Sequence, residues 1–122
     1  MKTILVVDDV PEVTDLLKLM IERTQRYSVT TSNSGKEALQ LAEELRPHLV
    51  VCDIDMPGMA GSDVAARMAE NRRTKGIPII FLSSLVTPRD MYDGADSGQR
   101  PMISKEAPIE VLIKTIDRML ED

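Results

Sequence analysis

The chain has 122 residues, the size of one domain, and with 43% hydrophobic but only 2% aromatic residues it must fill its core with Leu, Ile, Val and Met. Its 20 acidic and 15 basic residues give a net charge of −5, a balance that argues against non-specific nucleic-acid binding, which needs basic patches. The single Cys52 excludes an internal disulfide and suits a reducing cytoplasm. No apolar stretch is long enough to span a bilayer, and Met1-Lys2-Thr3 enters the first apolar run at once, leaving no room for a signal peptide.

The first apolar run, Thr3 to Val7, reads as a buried strand. A helix is expected from about Pro11 to Arg23, with Pro11 in its first turn, where a missing N–H costs nothing. Val13, Leu16, Leu17, Met20 and Ile21 fall on one face of it. Tyr27 to Thr31 is a weaker, more polar strand, as an edge strand would be. The second helix opens on Ser34 and Glu37, a capping-box pattern. It carries the stripe Ala38, Leu41, Ala42 and Leu45, and Pro47 stops it. The third strand is expected over His48 to Cys52. After a loop with Pro57, Gly58 and Gly61 comes a third helix, with Ser62 as the expected N-cap and Val64, Ala65, Met68 and Ala69 facing inward.

Pro78 precedes the fourth strand, Ile79 to Leu82. Between Thr87 and Arg100 two glycines and few apolar residues leave no convincing helical face, so a short or irregular fourth helix, or a mobile loop, is expected there. A fifth strand covers Pro101 to Ser104. The last helix has the cleanest stripe, Ile109, Leu112, Ile113, Ile116, Met119 and Leu120. Strands alternating with helices point to an α/β fold with a parallel sheet, in one domain over residues 1–122.

Four of the apolar runs end on polar residues suited to phosphate chemistry: Asp8 and Asp9, Asp53, Ser83, and Lys105. Ligands of open α/β sheets bind outside the carboxyl ends of the strands, so these side chains are expected to converge. Carboxylates crowded together raise a pKa or recruit a cation. Mg²⁺, a hard ion that takes carboxylates, waters and phosphate oxygens, fits that set. Asp53, at the end of what should be a central strand, is placed to act as a phosphoryl acceptor. Lys105 would supply a point charge and Ser83 a hydrogen bond to one phosphoryl oxygen.

Taken in this order, Asp8-Asp9, the stretch Asp53-Ile54-Asp55-Met56-Pro57-Gly58-Met59-Ala60-Gly61, Ser83 and Lys105 resemble the receiver domains of two-component response regulators, the CheY-like superfamily, over the whole chain. The resemblance implies a flavodoxin-like (βα)5 three-layer sandwich with strand order 2-1-3-4-5. It implies that Asp53 accepts a phosphoryl group from a histidine kinase or phosphotransfer protein. Asp9 and Asp53 would ligate Mg²⁺ directly, Asp8 mainly through water, and the Asp55 backbone carbonyl would complete the site. Ser83 would be the switch hydroxyl, Lys105 the phosphate-binding ammonium, and an output protein or domain the receiver of the message. A switch of this kind is not an enzyme acting on a metabolite, although its own phosphorylation and dephosphorylation are reactions it could catalyse.

Two departures stand out. The family usually has proline after the lysine, with a cis peptide; here it is Glu106, so either a trans bond with a shifted loop or a strained cis bond is expected. The aromatic switch position is Met102. The Asp55 side chain is expected to be solvated, Cys52 a small buried hydrophobe, and His48 a surface residue. Two other readings compete: a degenerate receiver that binds partners without phosphorylation, and, less favoured, a haloacid-dehalogenase-type phosphatase, whose DxD motif Asp53-Ile54-Asp55 resembles. The sequence runs to Asp122 without an output domain and leaves open a stand-alone receiver or part of a longer regulator.

Overall fold

The computed structural model describes residues 1–90 and 100–121. Most of the segment expected to hold an irregular fourth helix lies outside them. The elements run β1 (Lys2–Val7), α1 (Pro11–Glu22), β2 (Tyr27–Ser32), α2 (Gly35–Leu45), β3 (Leu49–Asp53), α3 (Gly61–Glu70), β4 (Ile79–Ser83), β5 (Met102–Ser104) and α4 (Ile109–Met119).

The strands form one sheet in the order β2-β1-β3-β4-β5, all parallel. Ile4 aligns with Leu49, Val50 with Ile79 and Phe81 with Met102, so the strand ends lie side by side. The central strands are apolar throughout because both faces are covered. Ile4, Val6, Leu49, Val51, Ile80 and Leu82 pack on one face with Ile21 of α1 and Leu112 and Ile116 of α4. Leu5, Val7, Val50, Cys52, Ile79 and Phe81 pack on the other with Ala38 and Ala42 of α2 and Val64, Ala65 and Met68 of α3. The two-residue alternation of strand side chains thus produces the three layers.

β2 is an edge strand, as its polarity suggests. The outward N–H of Val29 donates to Glu22 Oε2 at 2.9 Å, and the Val29 carbonyl accepts from Lys18 Nζ at 3.0 Å. Two side chains of α1 therefore occupy backbone groups that would otherwise be open to another strand. Asp117 of α4 accepts hydrogen bonds from Arg26 Nη2 and the Tyr27 hydroxyl, tying α4 to the start of β2.

The helix faces differ from expectation in detail. Leu16 is 55% exposed and Leu45 52%, and Ala69 is also exposed. Thr14 is buried in place of Leu16; its hydroxyl donates to the Pro11 carbonyl and accepts from Asn33, so its polarity is satisfied inside. Ser34 caps α2 as expected, accepting from the Glu37 N–H at 3.1 Å. Glu37 does not return the bond to Ser34; it accepts from the Ser32 hydroxyl at 2.7 Å. Ser62 does not cap α3. Ala60 is the N-cap, because the Gly61 N–H is already taken by the Ile54 carbonyl at 3.0 Å and Asp63 accepts from the Ala60 N–H.

Candidate functional site

The carboxyl ends of β1, β3, β4 and β5 deliver the expected side chains to one place. Asp8 directly follows β1, and its N–H still pairs with the Ser32 carbonyl of β2 at 3.1 Å. Its Oδ1 then accepts from the Val10 N–H at 3.0 Å, turning the chain toward α1. Asn33 grips this turn from the β2–α2 loop, donating to the Asp8 carbonyl at 2.8 Å and to Thr14 Oγ1 at 3.1 Å. Asp8 is fully buried and Asp9 partly so. One carboxylate oxygen each from Asp8, Asp9 and Asp53 lies within 4.8 Å of the others.

Asp53 is the last residue of β3 and 2% exposed. Its Oδ1 accepts from the Asp55 N–H at 3.1 Å, and its Oδ2 lies 3.2 Å from Lys105 Nζ. Lys105 also donates to Asp8 Oδ2 at 2.7 Å. Its backbone N–H continues the ladder to the Ser83 carbonyl at 2.9 Å. No cis peptide occurs among the described residues, so the Lys105–Glu106 bond is trans, and the ammonium nevertheless reaches both carboxylates. Burial raises the Asp53 pKa; the Asp55 N–H opposes this, the Asp8 charge adds to it and Lys105 opposes it. For Lys105 burial is the largest single influence and lowers the pKa, but Asp8 and then Asp53 together outweigh it, leaving it raised.

The loop after Asp53 is held close by a glycine. A Cβ on Gly61 would lie 2.5 Å from the Asp53 carbonyl oxygen and 2.7 Å from Ile54 Cα, so no larger residue fits without moving the backbone of Asp53. The Ser83 side chain, 2% exposed, donates to Asp55 Oδ2 at 3.3 Å and accepts from the Leu85 N–H at 3.0 Å. The Asp55 carboxylate is exposed, as expected, and it also accepts from the Ser83 hydroxyl.

Residues outside the cluster behave more plainly. Cys52 is buried, and its thiol is pushed up to about 12 by burial and then by the charges of Asp53 and Asp8, so it is an inert hydrophobe. His48 is exposed, and its Nδ1 accepts from the Thr3 N–H at 3.0 Å. Met56 is buried. Met59 lies over Gly35, where a Cβ would come within 2.9 Å of its sulfur.

Three carboxyl groups against one ammonium leave a surplus of acid in a pocket with little solvent, which suits a divalent cation with oxygen ligands. The sequence matches the response regulator receiver domain family over residues 4–117. The chain belongs to the response regulator receiver family. The receiver is 33% identical over 118 residues to the transcriptional regulatory protein YdfI of Bacillus subtilis, covering 96% of this chain and 54% of that one. It is 31% identical over 120 residues to protein PilH of Pseudomonas aeruginosa, covering 98% of each. The chain spans about half the length of the transcriptional regulators it matches. Its fold superposes on the chemotaxis protein CheY4 of Vibrio cholerae with a TM-score of 0.81 and 27% identity, covering 98% of this chain and 99% of that one.

The receiver is therefore a signalling switch of the two-component kind. Neither the phosphatase nor the phosphorylation-independent module is favoured. Asn33, Gly61 as a spacer, and the contact of the Asp55 side chain with Ser83 are the site features that the sequence did not show. Gly61 stood in the quoted motif, and Asn33 stood beside a recognised cap, but nothing local showed what either would touch.

Proposed function

We propose that Asp53 is the phosphoacceptor, receiving a phosphoryl group from a sensor histidine kinase or phosphotransfer protein. A carboxylate oxygen of Asp53 forms the new bond to phosphorus while the phosphorus–nitrogen bond of the donor phosphohistidine breaks, and the imidazole leaves with the electron pair. The single observation that carries this reading is the placement of Asp53 within 3.2 Å of Lys105 and inside the Asp8–Asp9 cluster. Such transfer depends on positioning and charge neutralisation rather than on elaborate covalent chemistry. The Asp55 N–H fixes the acceptor carboxylate, Lys105 offsets charge on the incoming group, and Ser83 has a hydroxyl for one phosphoryl oxygen.

Asp8, Asp9 and Asp53 fit Mg²⁺, with the Asp55 carbonyl as the further ligand that the family resemblance implies; the ion when bound would supply further neutralisation of the phosphoryl oxygens. Return to the resting state is hydrolysis, in which water attacks phosphorus and Asp53 leaves as its carboxylate. The donor side of this reading has a surface to match. A groove of about 520 Å³ lies between α1 and α4, lined by Val13, Leu16, Leu17, Ile109 and Leu112, with Lys105 also in its wall. Leu19 on α1 is also 56% exposed, and an apolar helical surface of the donor would cover these residues. The same reading takes residues 1–122 as one receiver domain, the cytoplasm as its compartment, and a separate output protein or domain as its target. Among the described residues no helix is long and apolar enough to cross a membrane.

Incubation with Mg²⁺ and acetyl phosphate, followed by intact-mass measurement, tests the proposal. One added phosphoryl group is expected, absent when Mg²⁺ is chelated and absent in Asp53→Asn. No adduct with any phosphodonor, or an adduct that survives Asp53→Asn, would overturn it.

A further inference from the structure

The side chain of Asp55 has no part in the chemistry above, yet among the described residues Asp55 hydrogen-bonds both the acceptor carboxylate and the Ser83 hydroxyl. Its N–H donates to Asp53 Oδ1 at 3.1 Å, and its Oδ2 accepts from Ser83 Oγ at 3.3 Å. A serine hydroxyl has a single proton to donate. While that proton is given to Asp55, Ser83 cannot give it to a phosphoryl oxygen. We propose that the Asp55 carboxylate is a resting-state latch on Ser83, competing with the phosphoryl group for the same hydroxyl and so setting how readily the switch moves. The inference rests on Asp53 being the phosphoacceptor and names the regulation of that same site.

The physics favours release once the phosphoryl group is in place. Phosphorylation adds negative charge to Asp53, two positions from the Asp55 carboxylate, and like charges at short range repel. The Ser83 proton then has a better acceptor in the phosphoryl oxygens. Ser83 Oγ also accepts from the Leu85 N–H at 3.0 Å, so a hydroxyl that turns away from Asp55 changes the backbone bond holding the loop after β4. Leu85 is 80% exposed and apolar, placed to report the change at the surface. This route begins at Asp55 and needs no aromatic ring on β5, where the chain has Met102. Asp55 is a positioning residue in this scheme: it acts through Ser83.

The test is beryllofluoride binding with Mg²⁺, followed by backbone-amide NMR of the whole chain, in a double-mutant cycle. In Asp55→Ala, beryllofluoride is expected to bind about five- to tenfold tighter, the order of one ordinary hydrogen bond, as suits a 3.3 Å contact to an exposed carboxylate. Asp55→Asn, which keeps shape and an acceptor but loses charge, should fall between. In a Ser83→Ala background the effect of Asp55→Ala should shrink to the part due to charge repulsion alone, because no hydroxyl remains to be held. The Leu85 amide of unloaded Asp55→Ala should move toward its position in loaded wild type. An equal gain with Ser83 present and in the Ser83→Ala background would mean simple charge repulsion and would overturn the latch, as would an unmoved Leu85 amide. Wild type that takes up no beryllofluoride would instead sink the phosphoacceptor reading, while the unloaded Leu85 shift still reports on the latch.

Discussion

Lys105 Nζ lies 2.7 Å from Asp8 Oδ2, joining the end of β5 to the fully buried carboxylate that follows β1. The same ammonium sits 3.2 Å from Asp53. One cation thus holds together two acidic groups that would otherwise repel inside the protein.

Lys105→Ala should therefore destabilise the resting protein. Breaking a buried ion pair costs about 3–5 kcal/mol, and the 26% exposure of the Lys105 side chain reduces the expected loss to about 1–3 kcal/mol. Because a divalent cation would answer the same surplus of acid, added Mg²⁺ should recover part of the lost stability. Thermal unfolding with and without Mg²⁺ measures both. A loss that Mg²⁺ leaves untouched would separate the lysine from the metal pocket.

The raised pKa of Asp53 gives a pH prediction. Burial makes the folded protein hold this proton more tightly than the unfolded chain, whose ordinary value is 3.8. As pH rises from that value through the raised folded pKa, the folded state must surrender a proton it retains preferentially, so stability falls. Below the ordinary value the cost is absent. In melts over a pH series under chelation, wild type should lose stability relative to Asp53→Asn as pH rises from acidic to neutral. Parallel curves would contradict the stated cause.

Gly61→Ala tests the spacing of the acceptor loop. The new Cβ would meet the Asp53 carbonyl oxygen at 2.5 Å, and backbone cannot swing aside as a side-chain tip can. Strain of this kind costs about 1–3 kcal/mol, and since it falls on Asp53 itself, phosphorylation by acetyl phosphate should slow with it. Gly76→Ala is the control: a Cβ there meets nothing within 4 Å, so stability should hold or rise by up to about 1 kcal/mol. Equal effects of the two substitutions would refute the spacer role.

Much of this was legible beforehand, and the part that was not has a common cause. Runs such as Ile4-Leu5-Val6-Val7 and Leu49-Val50-Val51-Cys52 announce strands covered on both faces, and the chain order of Asp8, Asp9, Asp53, Ser83 and Lys105 places all five at the carboxyl ends of the strands. Helical spacing put Leu16 inside and was silent on Thr14, because a buried threonine depends on a partner, Asn33, 19 positions away. The same blindness hid Asp55: its bond to Ser83 spans 28 positions. Ser62 had the better capping side chain, yet the helix begins at Gly61 because the Ile54 carbonyl claims its N–H. Local chemistry gave the elements; contacts between distant loops decided which polar groups needed no water.

The edge of the sheet supplies a prediction independent of the site. Glu22→Ala frees the Val29 N–H and leaves Lys18 without its neighbour 3.9 Å away. A lost hydrogen bond to a charged acceptor is worth about 1–2 kcal/mol here, so chemical denaturation should show that loss while acetyl phosphate labelling proceeds at the wild-type rate. A changed labelling rate would mean that β2 is coupled to the acceptor.

The central claim concerns one side chain, and one measurement addresses it. Borohydride reduces an acyl phosphate of aspartate to homoserine, marking the phosphorylated residue in a stable form. After phosphorylation with Mg²⁺ and acetyl phosphate, reduction and peptide sequencing by mass spectrometry should find homoserine at position 53 alone. Homoserine at position 8, 9 or 55, or at none, would contradict the assignment of Asp53.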